Sequence, residues 1–289
     1  MIARKWTAGL HTVALLFFFL TPQSVAAQSA ADSAGRDLAG LRQAMRSRYA
    51  LGVSVHRGTS PLAPENTLAA FRTVLPWQVD YLEIDVRTSR DGQLFILHDG
   101  TLERTTTGTG PARDRTLDEL KQLSAGKGFG NRFADERIPT LEEVCRLLAD
   151  WNARHAYQTH LYVDCKDVAA GPLVAMLAQY GLLNGAVFYG SDAFLLSLRN
   201  VAPAARRMPA LRNEAEIAEK VEKLAPYAFD VPWQLLSKRL IDQLHERGIR
   251  VFSDALGPYE QPEEYRKMAR LGLDVIQTDH VERLYRAMD

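Results

Sequence analysis

Four short polar clusters close apolar runs in this chain: Val55-His56-Arg57-Gly58, Glu83-Ile84-Asp85, Leu97-His98-Asp99 and Asp164-Cys165-Lys166. Together they carry two imidazoles, a guanidinium, an ammonium and a set of carboxylates. That inventory suits cleavage of a phosphodiester. A cation offsets the charge, basic side chains hold the phosphoryl oxygens, and imidazoles move the protons.

Glu83 and Asp85 are two residues apart on a strand-like run, so both point to one face. Carboxylates that close repel unless a cation or proton sits between them, and oxygen donors favour Mg²⁺ or Ca²⁺ over zinc. A solvated strand face with alternating acids is the plainer alternative. In Val163-Asp164-Cys165-Lys166, alternation sends Asp164 and Lys166 inward and Cys165 toward the outer helices. Asp164 as a third metal ligand and Lys166 on a phosphoryl oxygen would satisfy both buried charges; an Asp–Lys ion pair is the competing account. His56 and His98 close two strand candidates. Imidazole, titrating near pH 6.5, can take a proton from an attacking oxygen or give one to a departing alkoxide.

The elements that must position these groups alternate. Strand candidates are Leu51–His56, Tyr81–Val86, Leu94–His98, His160–Lys166, Ala186–Tyr189, Arg206–Pro209, Ala228–Val231, Arg250–Ser253 and Asp274–Thr278. Amphipathic stretches separate them: Glu65–Leu75, Leu117–Ser124, Leu141–Trp151, Pro172–Tyr180, Ala193–Val201, Glu214–Lys223, Ser237–Glu246 and Glu263–Leu271. A β-then-α rhythm implies a parallel sheet with covered faces. Polar clusters at several strand ends favour the α/β TIM (β/α)8 barrel over an open sheet, since barrel loops converge on one mouth. No Gly-x-Gly-x-x-Gly turn follows the first strand. A barrel needs one strand fewer than the candidates supply, and Arg206–Pro209 is the first to drop. The glycine-rich stretch from Asp99 to Pro139 reads as a small insertion after the third strand candidate, lying over the barrel mouth.

The bulk properties agree. With 289 residues, 46% hydrophobic and 24% charged, the chain is long enough for one barrel of about 250 residues and is not disordered. Basic and acidic residues balance at 35 each, and no basic stripe points to nucleic acid. Arg206-Arg207 reads as solvated surface. Arg4-Lys5, the apolar run Val13–Leu20 and the small residues Val25-Ala26-Ala27 describe a cleavable signal peptide over 1–27, and so a secreted or periplasmic protein. The apolar run is too short for a stable membrane span. Residues 28–50, with Leu38, Leu41 and Met45 at helical spacing, form a lead-in outside the core, and the barrel takes 51–289. Cys145 and Cys165 could pair in an oxidising compartment or stay buried thiols; spacing leaves both open.

With Pro64-Glu65-Asn66-Thr67, Arg104-Thr105-Thr106, Ile138-Pro139-Thr140-Leu141-Glu142-Glu143 and Ile276-Gln277-Thr278-Asp279 added to the clusters, the chain resembles the glycerophosphodiester phosphodiesterase family over nearly its whole mature length. The resemblance implies a TIM-type barrel and a divalent cation, Ca²⁺ or Mg²⁺. It implies hydrolysis of small glycerophosphodiesters to glycerol 3-phosphate and an alcohol. By position it implies His56 and His98 as the acid–base pair, Glu83, Asp85 and Asp164 as metal ligands, and Arg57 and Lys166 on phosphate. Two positions depart from the family pattern: Asp164 stands where glutamate is usual, and Phe252-Ser253-Asp254-Ala255 where Trp-Thr-Val-Asn is usual. The latter puts head-group preference in question, and Trp233 is either an aromatic wall there or a core residue. The Glu, Asp, Asp set with the histidine pair, which Asp164 fits, also keeps open a sphingomyelinase D-like phospholipase or lyase acting on intact lipids, with Pro64-Glu65-Asn66-Thr67 standing against it. A barrel that binds phosphodiesters without turnover is a third reading, and a homo-oligomer remains compatible with the sequence. A conventional serine hydrolase is disfavoured by the lack of a Gly-x-Ser-x-Gly elbow.

Overall fold

The computed structural model describes residue 35, residues 37–59 and residues 61–289. The expected signal peptide and the start of the lead-in lie outside the described residues.

A helix over residues 37–48 (α1) precedes β1 (Gly52–Val55), α2 (Leu68–Val74), β2 (Tyr81–Thr88), β3 (Leu94–Ile96), α3 (Leu117–Lys121), α4 (Leu141–Arg154) and β4 (His160–Cys165). Then follow α5 (Ala170–Gln179), β5 (Val187–Tyr189), α6 (Asp192–Val201), β6 (Arg206–Met208), α7 (Ile217–Leu224), β7 (Ala228–Asp230), α8 (Lys238–His245), β8 (Arg250–Asp254), α9 (Pro262–Leu271), β9 (Val275–Thr278) and α10 (Val281–Met288). Eight strands run parallel in the order β6-β5-β4-β2-β1-β9-β8-β7. The open ends meet where Ala210 bridges Asp230, Tyr227 N donates to Arg207 O at 2.9 Å and Leu211 N to Asp230 O at 2.8 Å. The fold is a TIM-type barrel.

Two expectations about its strands are corrected. Arg206–Met208 is no dispensable run; it pairs in register with β5 and completes the circle. Nor is Arg207 solvated surface. It is 6% exposed, and its guanidinium donates to the carbonyls of Pro203, Leu224 and Ala225, two of which end α7. Those outward dipoles accept the buried cation. The strand outside the barrel is β3, which runs antiparallel to β2 through the pairs Val86–Ile96 and Thr88–Leu94. His98 therefore does not close a barrel strand equivalent to that of His56. β2 overshoots the mouth, turns at Asp91-Gly92 and comes back as β3, with Leu97 N donating to Asp85 O at 3.0 Å.

The lead-in is corrected as well. α1 places Leu38 and Met45 in the main core, while Arg42 and Arg46 both reach Asp80 below β2. α10 went unassigned in the sequence, although Val281, Leu284, Tyr285 and Met288 give it a buried stripe at helical spacing. No described helix is long and apolar enough to cross a membrane. Cys145 and Cys165 are both buried and unpaired.

Inside the barrel, alternation separates floor from mouth. Tyr81, Tyr162, Val187, Met208, Ala228, Phe252 and Val275, each from a different strand, pack together as the floor. β1 contributes Gly52, where a Cβ would come within 3.0 Å of Val275 Cγ2. Two residues further along these strands stand Ser54, Glu83, Asp164, Tyr189, Asp230, Asp254 and Gln277. An apolar plug thus underlies a polar bowl. The stretch from Asp99 to Pro139 builds a satellite core of its own from Leu102, Ala112, Leu120, Ala125 and Ile138, packed on Phe95 and Leu97.

Candidate active site

The loop after β1 organises the bowl through left-handed backbone. Arg57 (φ 54°), Gly58 (φ 63°) and Asn66 (φ 53°) all sit in that region, which is uncommon outside glycine and asparagine. Gly58 is required there, since a Cβ would meet Phe71 Cδ1 at 2.7 Å. The turn lets Arg57 N donate to Glu83 Oε2 at 2.6 Å, and Asn66 N donate to Arg57 O at 2.8 Å. Asn66 Nδ2 in turn donates to Asp85 Oδ2 at 2.7 Å. This explains why α2 starts at Leu68 behind its Thr67 cap and not at Glu65, as the periodicity suggested. Glu65 and Asn66 belong to the site.

Glu83, Asp85 and Asp164 each offer an oxygen within 4.8 Å of the others. Glu83 and Asp85 are 2% and 1% exposed. Burial, then the charges of Asp85 and Asp164, push the Glu83 carboxyl well above its ordinary range. Burial also raises Asp164, against the opposing charge of Lys166. Lys166 Nζ lies 2.5 Å from Asp164 Oδ2 and 3.1 Å from Asp85 Oδ1, so the ion pair weighed from the sequence is present. Arg57 Nε stands 3.6 Å from Asp85 Oδ2 without a hydrogen bond of its own. Asn66 Oδ1, buried beside the same carboxylate, has no partner among the described residues. Buried acceptors crowded together with an unanswered oxygen favour a hard cation, and the residues present fit one.

Each imidazole is held by a carboxylate. His56 Nδ1 lies 2.7 Å from Asp279 Oδ1, and His98 Nδ1 lies 2.7 Å from Asp99 Oδ1. Burial alone would raise Asp279, but the hydrogen bond and charge of His56 prevail and leave it below its usual range. The hydrogen bonds of Arg104, against burial and then with those of His98, hold Asp99 far lower. An ionised carboxylate only accepts, so each Nδ1 carries a proton and each Nε2 is the ring nitrogen outside those contacts. Arg104, from the satellite, donates to Asp99 at 2.7 and 2.9 Å and to Glu65 at 2.7 and 2.8 Å. Glu65 continues to Arg57 Nη1 at 3.0 Å. A chain of charge thus ties His98 to the loop of His56.

The seven residues singled out from the sequence (His56, Arg57, Glu83, Asp85, His98, Asp164 and Lys166) gather at one mouth. The charge of His56 acts on Asp254, and that of His98 on Asp164. Sequence reasoning gave no role to Asp99, Asp279, Asn66, Glu65 or Arg104, though each stood inside a motif already quoted. It also missed Asp230 and Asp254 at the ends of β7 and β8. Burial, then Asp254 and Asp164, raise Asp230 well above the carboxylate range. Burial raises Asp254 to about 6, partly opposed by His56. Trp233 is a packed residue, 5% exposed, donating from Nε1 to Glu264 at 2.8 Å.

The family model for the glycerophosphoryl diester phosphodiesterase family matches residues 56–283. A glycerophosphodiester phosphodiesterase of Caldanaerobacter subterraneus subsp. tengcongensis is 31% identical over 241 residues, covering 80% of this chain and 95% of the relative. A Bacillus subtilis (strain 168) protein provisionally named for the same activity is 46% identical over 240 residues, covering 79% and 94%. Among solved structures, an Oleispira antarctica phosphodiesterase in complex with the product sn-glycerol-3-phosphate superposes with a TM-score of 0.74 at 26% identity, covering 82% of this chain and 96% of the other.

Proposed function

The chain belongs to the glycerophosphoryl diester phosphodiesterase family, and we propose that it hydrolyses small glycerophosphodiesters to glycerol 3-phosphate and an alcohol. It is a phosphodiesterase by that membership. The finer reading assigns His56 and His98 as the acid–base pair and Glu83, Asp85 and Asp164 as ligands of a divalent cation, Mg²⁺ or Ca²⁺. The observation that carries it is the pair of Nδ1–carboxylate contacts at 2.7 Å flanking a three-carboxylate cluster. When bound, the cation supplies Lewis acidity and charge neutralisation at the phosphoryl group.

The protein's own groups do the rest. Nε2 of one imidazole takes the proton of the neighbouring glycerol hydroxyl as its oxygen attacks phosphorus. Nε2 of the other gives a proton to the departing alkoxide, so the alcohol leaves neutral. Water then opens the resulting cyclic phosphate with the proton roles reversed, leaving glycerol phosphate. Asp279 and Asp99 keep both rings in the productive tautomer. Arg57 and Lys166 sit beside the cluster, where they can hold phosphoryl oxygens.

Chelator-treated protein titrated with Mg²⁺ or Ca²⁺ against glycerophosphocholine, glycerophosphoethanolamine and glycerophosphoglycerol tests the reading. Turnover returning with the cation, with glycerol 3-phosphate as the product, is expected. Full activity after chelation would remove the metal assignment. The lyase reading on intact lipids rests only on the Glu, Asp, Asp set with the histidine pair and predicts cyclic phosphate as the final product. Export completes the proposal: a secreted or periplasmic mature chain starting near Gln28, checked by N-terminal sequencing of the exported protein.

A further inference from the structure

We infer that Asn66 is a positioning residue that sets the cation affinity of the acidic cluster by holding Asp85. Asp85 has two oxygens to distribute. Lys166 Nζ stands 3.1 Å from Oδ1, while the Asn66 amide donates to Oδ2 at 2.7 Å. That hydrogen bond fixes the rotation of the carboxylate about its own axis and so decides which oxygen turns to Glu83 and Asp164. Asn66 is itself held on both sides. Its backbone N donates to Arg57 O at 2.8 Å, and next to it Thr67 caps α2 through Ala70 N and donates to Pro64 O.

The residue type follows from three demands at one position. The backbone is left-handed at φ 53°, which asparagine tolerates better than any other residue able to donate from a short side chain. The group facing Asp85 must be a donor, and a neutral one, because Lys166 and Arg57 already bring positive charge to Asp85. The place is nearly closed to water, with Asn66 4% exposed. The second amide atom carries the argument further. Asn66 Oδ1 is buried, belongs to the same planar group that contacts Asp85, and accepts from nothing among the described residues. A buried acceptor beside acids is stabilised by positive charge, or by a donor that arrives with it.

The inference rests on the metal reading above, and its test separates the two. Mg²⁺ and Ca²⁺ are titrated calorimetrically into chelator-treated wild-type protein, Asn66→Gly and Asn66→Ala, alongside thermal unfolding without cation and the cation dependence of turnover. Glycine accepts the left-handed backbone at less cost than alanine, so the two variants should differ in melting temperature. Both lack the amide, so both should bind cation more weakly to the same extent, on the order of tenfold or more, as is typical when a hydrogen-bond partner of a metal ligand is removed. Turnover at saturating cation should change far less than the half-saturating concentration. A purely structural role would instead make affinity follow melting temperature. Wild-type affinity in a folded Asn66→Gly or Asn66→Ala protein overturns the inference and leaves the metal reading standing. If the wild type itself takes up neither cation, the metal reading fails first.

Discussion

At the residue scale the site is a pair of carboxylate-oriented imidazoles facing a cluster that needs neutralising. His56→Ala and His98→Ala should each lower turnover by at least about a hundredfold, the lower edge of what a positioned acid or base contributes. Asp279→Asn and Asp99→Asn should cost less, about tenfold or more, since the ring stays but loses the ionised, acceptor-only partner that keeps the proton on Nδ1. Steady-state rates at saturating substrate check all four, and a near-normal rate in either alanine variant defeats the acid–base assignment. Much of this was readable without coordinates. A histidine or carboxylate at the end of a β-branched run announces itself by type and position. The orienting partner of His56 does not, because Asp279 lies 223 residues away and only barrel closure joins them.

Which strand belongs to the barrel is an element-scale matter, and there the sequence was read less well. Periodicity located every strand, but not how each one runs. The Asp91-Gly92 dipeptide, with Gly92 at φ 80°, is a hairpin signal that would have separated β3 from the parallel set. Arg206-Arg207 made β6 look dispensable, because a buried arginine answered by helix-end carbonyls looks from sequence like a solvated one. The start of α4 at Leu141 was placed correctly, and side chains cap it. Thr140 and Glu143 form a reciprocal capping box at the start of α4, with Thr140 Oγ1 accepting from Glu143 N at 3.0 Å and Glu143 Oε2 accepting from Thr140 N at 2.8 Å. Thr140→Ala should therefore cost about 1 kcal/mol in urea unfolding while leaving turnover per folded molecule unchanged. A loss of activity without a loss of stability would mean that this end of α4 communicates with the mouth.

Taken as a whole molecule, the chain is balanced at 35 basic and 35 acidic residues, yet its lumen is not. Glu83, Asp85, Asp164, Asp230 and Asp254 crowd one bowl above an apolar floor, and the sequence count conceals this concentration. Its consequence is a pH-dependent load on the fold. Asp254 is raised from 3.8 to about 6, by burial first, with His56 opposing and Asp164 adding. A carboxyl whose folded pKa is raised stabilises the fold while protonated. That contribution is whole below the unfolded value and disappears as pH climbs through the folded one. Above pH 6 the ionised group therefore works against the barrel in chelated protein. Asp254→Asn, neutral at every pH, should raise the melting temperature at pH 8 by a few degrees, on the order expected for relieving one buried charge in a chain of this size. The gain should shrink steadily through pH 6 and be gone near pH 4, where wild-type Asp254 carries its proton anyway. A gain of equal size at pH 4 and pH 8 would show that the substitution acts by packing, and that the bowl's carboxylates are not strained by one another.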